Sequence, residues 1–459
     1  MRRKIIGIFV IILMSSCSTM TFALTPFNGA EQQTNDQFLN STSVPLPLPK
    51  RWMKTFGGTN DDWGSSVQQT KDGGYIILGH TSSFGYGAWL IKTDDNGNEE
   101  WNRTFGMGEV GYSVQQTTDD GYIIVGSNFN YDVLLIKTND NGNEEWNRTF
   151  GRSGADGGSA VQQTSDGGYI ILGRTQVPGT FEIDVWLIKT DDNGNEKWNK
   201  TFGAGGERNF IVGSFIQQTT DDGYIITGSK QNSFIQGRDV LLIKADSNGE
   251  KEWERVFGKI IGDDWGSFVQ QTTDGGYIIV GSRSLMGIFK WLYNHDVWLI
   301  KTNKRGIKLW DKTFGQIGDD DNGYSVQQTT DGGYIIAGSK GNSFRDLGVP
   351  SYVWLIKTNG RGKHSWDRIF KLWDKNFKGL IYYYEEGYSV QQTTDGGYII
   401  TGSKGTPDAN AFGGFFHDVW LIKTNRLGMS KTTSVDKLWF EQLFQRFPNA
   451  FPLRQLMGY

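Results

Sequence analysis

The chain is almost without cysteine: of 459 residues only Cys17 is one, and it precedes everything that reads as folded. No disulfide can brace the fold, so whatever closes it is non-covalent. Histidine is scarce too, with four residues, His80, His295, His364 and His417, at places that do not correspond to one another along the chain. Zinc-ligand clusters, a Gly-x-Ser-x-Gly elbow and a phosphate-binding glycine loop are all missing, so the common motif-bearing enzyme classes find no support. The balance leans away from an enzyme, and no catalytic residue is assigned.

Long apolar runs are also missing. The longest near the start, Ile5 to Met14, has ten residues, too few to span a bilayer. With Arg2, Arg3 and Lys4 before it and small or polar residues through Ala23 after it, residues 1–23 read as an export signal. Its removal would shift the formal charge from −4 to −7, because three cations leave and no acid does. An acidic surface argues against nucleic acid and against an anionic membrane face. Cys17 follows Met14-Ser15-Ser16 in a placement that resembles a bacterial lipoprotein processing site, which makes it a lipidation candidate; cleavage after Ala23 would instead discard it. Residues 24–50 are polar and end in Val-Pro-Leu-Pro-Leu-Pro, suited to an extended spacer. A secreted or surface-attached protein is expected, membrane-bound only through such a lipid or through the far end of the chain.

What is plentiful is glycine, at 62 residues, and aromatics, at 14%. Alanine, leucine and glutamate are not prominent, so strands and turns outweigh helices. Four phrases then recur in a fixed order: Trp-x-x-x-Phe, Val-Gln-Gln-Thr, Gly-Tyr-Ile-Ile and Leu-Ile-Lys. The Gln-Gln phrase starts at Val67, Val114, Val161, Ile216, Val269, Val326 and Val390, giving seven units of about fifty residues. Within one unit, Tyr112 to Thr117 and Tyr122 to Gly126 flank the turn Thr118-Asp119-Asp120-Gly121, where Gly121 is available for a positive φ. Asp132 to Thr138 and the segment around Trp146 flank a second turn carrying Asn141-Gly142, a strong hairpin signal.

The middle two strands lack polar alternation, as expected for sheets covered on both faces by neighbouring blades. The architecture predicted is all-β: a seven-bladed propeller of four-stranded antiparallel blades over residues 51–424. Each outer-strand tryptophan would bury about 150–250 Å², an upper bound of about 4–6 kcal/mol. Glutamine in such a setting needs both ends of its amide bonded, so the Gln-Gln pairs read as bridges between blades near the axis.

These phrases resemble the Trp-containing propellers of the quinoprotein-like group, where a strand and a glycine turn likewise precede the outer tryptophan strand. The Asp-Gly-Gly-Tyr-Ile-Ile and Trp-Asn-Arg-Thr-Phe-Gly phrases are similar to repeats in secreted archaeal and bacterial propeller proteins. The resemblance implies the fold. Many of its enzymes carry an adjacent-cysteine disulfide, which the resemblance would imply and this chain lacks.

The last unit stops one strand short, since no tryptophan follows Leu421-Ile422-Lys423, whereas the first Trp strand, Arg51 to Gly57, has no blade of its own. It is expected to complete the seventh blade and remove the exposed edges. Between Leu355 and Val390 stand two candidate outer strands, starting at Trp366 and Trp373, followed by a tyrosine-rich stretch that offers Tyr382 and Tyr383 as contacts.

The connections that vary between units share one face, and variable loops on a constant scaffold are where binding residues collect. The candidates there are Asp61, Asp62, Trp63, Tyr86, Tyr131, Asp263, Asp264, Trp265, Trp291, Tyr293, Asp320 and Asp321. Aromatic plates beside carboxylates suit sugars or a protein partner. The Asp-Asp loops and the hairpins at Asp94 and Asp191 admit calcium, but the closing bidentate acid is missing or displaced and tight turns explain them. No cofactor or metal is assigned. Asn40, Asn102, Asn147 and Asn199 stand in glycosylation sequons. Residues 425–459 form a tail in which Leu438 to Phe447 suggest a short amphipathic helix before Pro448. The reading is a monomeric extracellular propeller that binds carbohydrate or a surface protein. An envelope polysaccharide hydrolase or lyase is the alternative, to be recognised by paired carboxylates in an open cleft, and a surface-layer component comes third.

Overall fold

Among the described residues, alternating apolar runs and glycine turns produce twenty-eight strands, arranged as seven four-stranded antiparallel sheets. The computed structural model describes residues 50–106, 111–152, 154–177, 179–180, 182–203, 210–233, 237–258, 262–286, 293–316, 319–341, 351–371, 385–407 and 415–430. Each blade takes its strands in chain order from the Gln-Gln strand outward, and the seventh is completed by the first strand of the chain, Trp52–Phe56, paired to Phe415–Thr424. The register runs from Trp52 opposite Lys423 to Phe56 opposite Val419. In the irregular unit the outer strand is His364–Phe370, the first of the two candidates. The second, with Tyr382 and Tyr383, lies outside the described residues.

The middle strands are mostly buried, and in the first blade Tyr75–Thr81 and Gly87–Thr93 are buried along their whole length. Apolar contact alone would let such sheets slide, and three repeated polar or aromatic devices fix them. The first is the glutamine pair. The amide oxygen of Gln68 accepts the backbone N–H of Gln116 in the next blade, and the pattern runs round the ring until Gln391 accepts from Gln69, all at 2.5–2.7 Å. The second glutamine of each pair reaches the opposite way, to a turn N–H of the preceding blade, at 2.9 Å in all seven cases. Two closed belts of hydrogen bonds result, the bridges that the sequence implied.

The second device is the outer tryptophan. Trp52 meets Tyr75 of the next blade edge-on at 5.6 Å, and Trp101, Trp146, Trp198, Trp253, Trp310 and Trp366 meet the equivalent tyrosines edge-on or tilted at 5.8–6.1 Å at the other joints. Its ring also covers the turn glycine of that neighbour: a Cβ on Gly97, whose φ is +72°, would sit 2.5 Å from Trp52. The Asn-Gly turns are thus both hairpin closures and seats for a ring.

The third device is ionic. The lysine of each Leu-Ile-Lys phrase is only 1–6% exposed and meets the aspartate of its own blade's inner turn at 2.8–3.2 Å, from Lys92 with Asp72 to Lys423 with Asp395. The turn threonine, Thr70 for Asp72, donates to the same carboxylate. This crowding corrects one expectation. The positive φ in the second blade belongs to Asp120, at +69°, whereas Gly121 is needed because a Cβ there would lie 2.1 Å from the Thr138 carbonyl.

Candidate binding site at the mouth of the axial channel

Every inner strand carries a one-residue bulge, between Gly64 and Ser66 in the first blade and at the same place in the other six. A bulge sets two successive residues against one partner residue, and here Ser65 and Ser66 both line the central cavity. This cavity of about 800 Å³ narrows into a section of about 280 Å³ walled by the valines and first glutamines. It lies at the starts of the inner strands, on the face of the variable connections.

Serine is the rule around this wall, and the departures from it are concentrated. In blades four and five Phe215 and Phe268 stack, with centroids 3.7 Å apart and planes 25° from parallel. In blades six and seven Tyr324 and Tyr388 lie 5.2 Å apart, and both hydroxyls donate to Glu386, at 3.1 Å and 2.5 Å. Burial first, and then the Glu386 charge, push the Tyr388 phenol well above its ordinary range, so it stays a neutral donor. Tyr112, Trp63 and His417 complete the wall. Glu386 is its only carboxylate among the described residues, and no lysine or arginine lines it.

The residues singled out in the variable connections fall into three groups. Trp63 lines the cavity and stacks on His80 at 4.4 Å, with Tyr86 edge-on to the same imidazole at 4.8 Å. Burial lowers the His80 pKa and keeps that ring neutral. Tyr86 and Tyr131 are 58% and 51% exposed, and neither lines the cavity.

The second group straps one blade to the next. Asp61 accepts from the backbone N–H of His417 at 2.9 Å and meets its Nδ1 at 3.1 Å. Asp320 meets His295 Nδ1 at 2.8 Å. Asp263 takes Arg238 in a fork, at 2.9 and 3.0 Å. Trp265 packs on His295 at 4.6 Å in this layer and is not part of the cavity wall.

The third group is architectural and corrects the surface role expected of it. Asp62, Asp264 and Asp321 are 0–1% exposed, so they cannot meet a ligand at the surface. Asp62 accepts from the N–H groups of Gly58, Ser82 and Ser83, Asp264 from Ser284, and Asp321 from Gly341. Trp291 lies outside the described residues, and of Tyr293 only the backbone is described, paired with Met286. Cys17, Asn40 and the tail from 431 are also outside them.

The hairpin acids are similarly occupied, since Asp94 and Asp191 each accept two turn N–H groups. Among the described residues no group of three histidines, cysteines or acids is placed to hold a metal. Of the sequon asparagines Asn147 is exposed, whereas Asn102 and Asn199 are half-buried and accept the indole N–H of Trp89 and Trp186.

These buried acids predict an unusual pH profile. Burial raises Asp264 and Asp321 from 3.8 to about 6, against the hydrogen bonds they accept. Their contribution is full below the unfolded value and is lost as pH rises through the folded one, by roughly 3 kcal/mol each at most. In the turn aspartates, such as Asp72 and Asp395, burial also pushes upward, but hydrogen bonds from threonine and lysine outweigh it and lower the pKa. That contribution is present above the unfolded value and is lost as pH falls. The melting temperature should therefore peak at roughly pH 4–5 and fall toward neutrality. Circular dichroism of the wild type and of Asp321→Asn checks this; the variant should flatten the neutral side, and an equally steep fall would refute the assignment.

Glu386, Tyr324, Tyr388, Phe215 and Phe268 were not among the sequence candidates. Their signal was nevertheless present, in the two positions before each Gln-Gln phrase for the aromatics and four positions before Val390 for Glu386, where the units stop agreeing with one another. No protein-family model matches the chain, and no curated protein matches it. Among solved structures it is similar to the WD40 domain of Pan2 from Neurospora crassa, at 10% identity and TM-score 0.45 over 80% of this chain and 97% of that one. It is similar also to the lectin BP39L from Burkholderia pseudomallei, at 8% identity and TM-score 0.44 over 81% and 99% of the two chains. A third is the polysaccharide lyase Uly1, at 10% identity and TM-score 0.47 over 79% and 90%. The likeness is one of fold alone.

Proposed function

We propose that this chain is an exported binding propeller that takes a carbohydrate into the mouth of its axial channel. The observation that carries the reading is where the repeat fails. Belts, tryptophan joints and lysine pairs persist through all seven units, whereas the side chains facing one 800 Å³ cavity change from serine to tyrosine, phenylalanine and glutamate. Serine and tyrosine hydroxyls suit the hydroxyls of a sugar, and aromatic faces suit its C–H faces.

A glycan-array screen of the full chain tests this. Trp63→Ala, which removes a cavity wall, should weaken a positive ligand about tenfold, the equivalent of about 1.4 kcal/mol. Trp265→Ala, outside the cavity, should leave the affinity within about twofold. Equal losses in both variants would move the site to the outer loops.

One observation supports a second reading, cleavage of a polysaccharide. His417, held by Asp61, lines the same cavity as the hydroxyl-bound Glu386, so a base and an acid could face one sugar. Chromatography of the incubated ligand separates the two readings: an unaltered ligand supports binding, whereas shorter products that disappear in His417→Ala support catalysis.

A further inference from the structure

The cavity wall is rich in aromatic rings, and Glu386 is its one carboxylate among the described residues. We propose that the glycan it takes bears a free amino group, whose ammonium is seated on Glu386 beside the Tyr324 and Tyr388 pair. This rests on the carbohydrate reading and narrows it.

Three features of the wall point the same way. No lysine or arginine lines it among the described residues, so nothing within it neutralises Glu386 and an anionic sugar would meet repulsion. Glu386 is half-buried, and its orientation is fixed by two hydroxyl donors, Tyr324 on one carboxylate oxygen and Tyr388 on the other. These donors use one lone pair on each oxygen and leave the others for N–H groups of a ligand. The two phenol rings pack on each other, 5.2 Å apart at an interplanar angle of 54°, and so present one aromatic edge to the cavity beside the carboxylate. Ring faces attract a cation that comes within about 6 Å of them, more strongly where water is excluded. His417, the histidine of this wall, faces the carboxylate of Asp61, which offsets a charge on its ring. A neutral glycan would use the hydroxyls of this wall and leave its charge unexploited. An amino sugar uses both.

Isothermal titration of the full chain with a chitosan oligosaccharide, the fully N-acetylated oligosaccharide of equal length and a cello-oligosaccharide tests the proposal. The free-amine ligand should bind at least about tenfold more tightly than its acetylated counterpart, a difference that shrinks as salt is added. Glu386→Gln keeps the shape and an acceptor and removes the charge, so it should narrow the preference to about threefold or less. Tyr388→Phe, which keeps the ring, should narrow it less and gives a second variant if the first fails to fold. Equal or better binding of the acetylated or neutral ligand overturns the amine proposal and leaves the carbohydrate reading standing, as does an undiminished preference in Glu386→Gln. Binding of none of the three, together with a blank array, overturns both.

Discussion

Deleting residues 50–57 is expected to open the ring and abolish the cooperative unfolding transition of the intact protein. The segment is short, but it stands at the single joint where the two ends of the fold meet. Without it the strand Phe415–Thr424 becomes an exposed edge and loses five register pairs, from Trp52 with Lys423 to Phe56 with Val419. The joint also loses the Trp52 ring on Tyr75 and Gly97, the Lys54 to Asn98 hydrogen bond at 3.0 Å, and the ion pair of Lys50 with Asp95. Tryptophan alone represents up to about 4–6 kcal/mol of burial, against a total stability of about 5–15 kcal/mol for ordinary domains. The two glutamine belts still cross this joint, through Gln69 with Gln391 and Thr394 with Gln69, but they act near the axis and cannot cover the outer edge. Calorimetry and limited proteolysis read the outcome. Unchanged melting and unchanged protease resistance would reject this closure, and recovery on adding a synthetic 50–57 peptide would confirm it directly.

The same joint predicts an unequal response among residues that look equivalent in the repeat. Asp395→Ala should cost about 3–5 kcal/mol, the range for stranding one member of a buried ion pair, whereas Asp72→Ala should cost about 1–2 kcal/mol. Lys92 keeps a second carboxylate, Glu100 at 2.8 Å, when Asp72 is removed. Lys423 meets Asp395 and the Thr424 carbonyl, and Arg51 occupies the place that Glu100 holds in the first blade. At 1% side-chain exposure it cannot reach water instead. Burial already lowers the Lys423 pKa, with Asp395 opposing. In Asp395→Ala that opposition is gone, so the ammonium should deprotonate more readily and the deficit should shrink as pH rises. Urea titrations at about pH 7 and about pH 9 measure it. Lys423→Met combined with Asp395→Ala should recover most of the loss; no recovery would mean that packing, and not charge, sets the cost.

Both predictions depend on knowing which parts of the repeat carry load, and here the sequence was unevenly informative. Blade number, strand order and the closing strand were legible because each follows from a period: seven Gln-Gln phrases, a missing last tryptophan and a spare first one. The bridging role of glutamine was legible too, since a buried amide must be bonded at both ends. Three of the loop aspartates offered as ligand contacts, Asp62, Asp264 and Asp321, are buried instead. Neighbouring acids such as Asp263 and Asp264 look alike in the sequence, yet one forks with Arg238 and the other is buried under Ser284. Strand alternation sends successive side chains to opposite sides, and which side faces solvent depends on the adjacent blade.

The cavity shows the division most clearly. The sequence by itself determined that seven similar sheets form one ring, because repeated phrases impose repeated local geometry and a two-sided apolar sheet must be covered by its neighbours. It also contained the exceptions, Phe215, Phe268, Tyr324, Glu386 and Tyr388, scattered over more than 170 positions. Only the tertiary structure decided that they share a wall. Ring closure brings the fourth blade and the seventh to one axis, and the bulge in each inner strand turns two successive residues toward it.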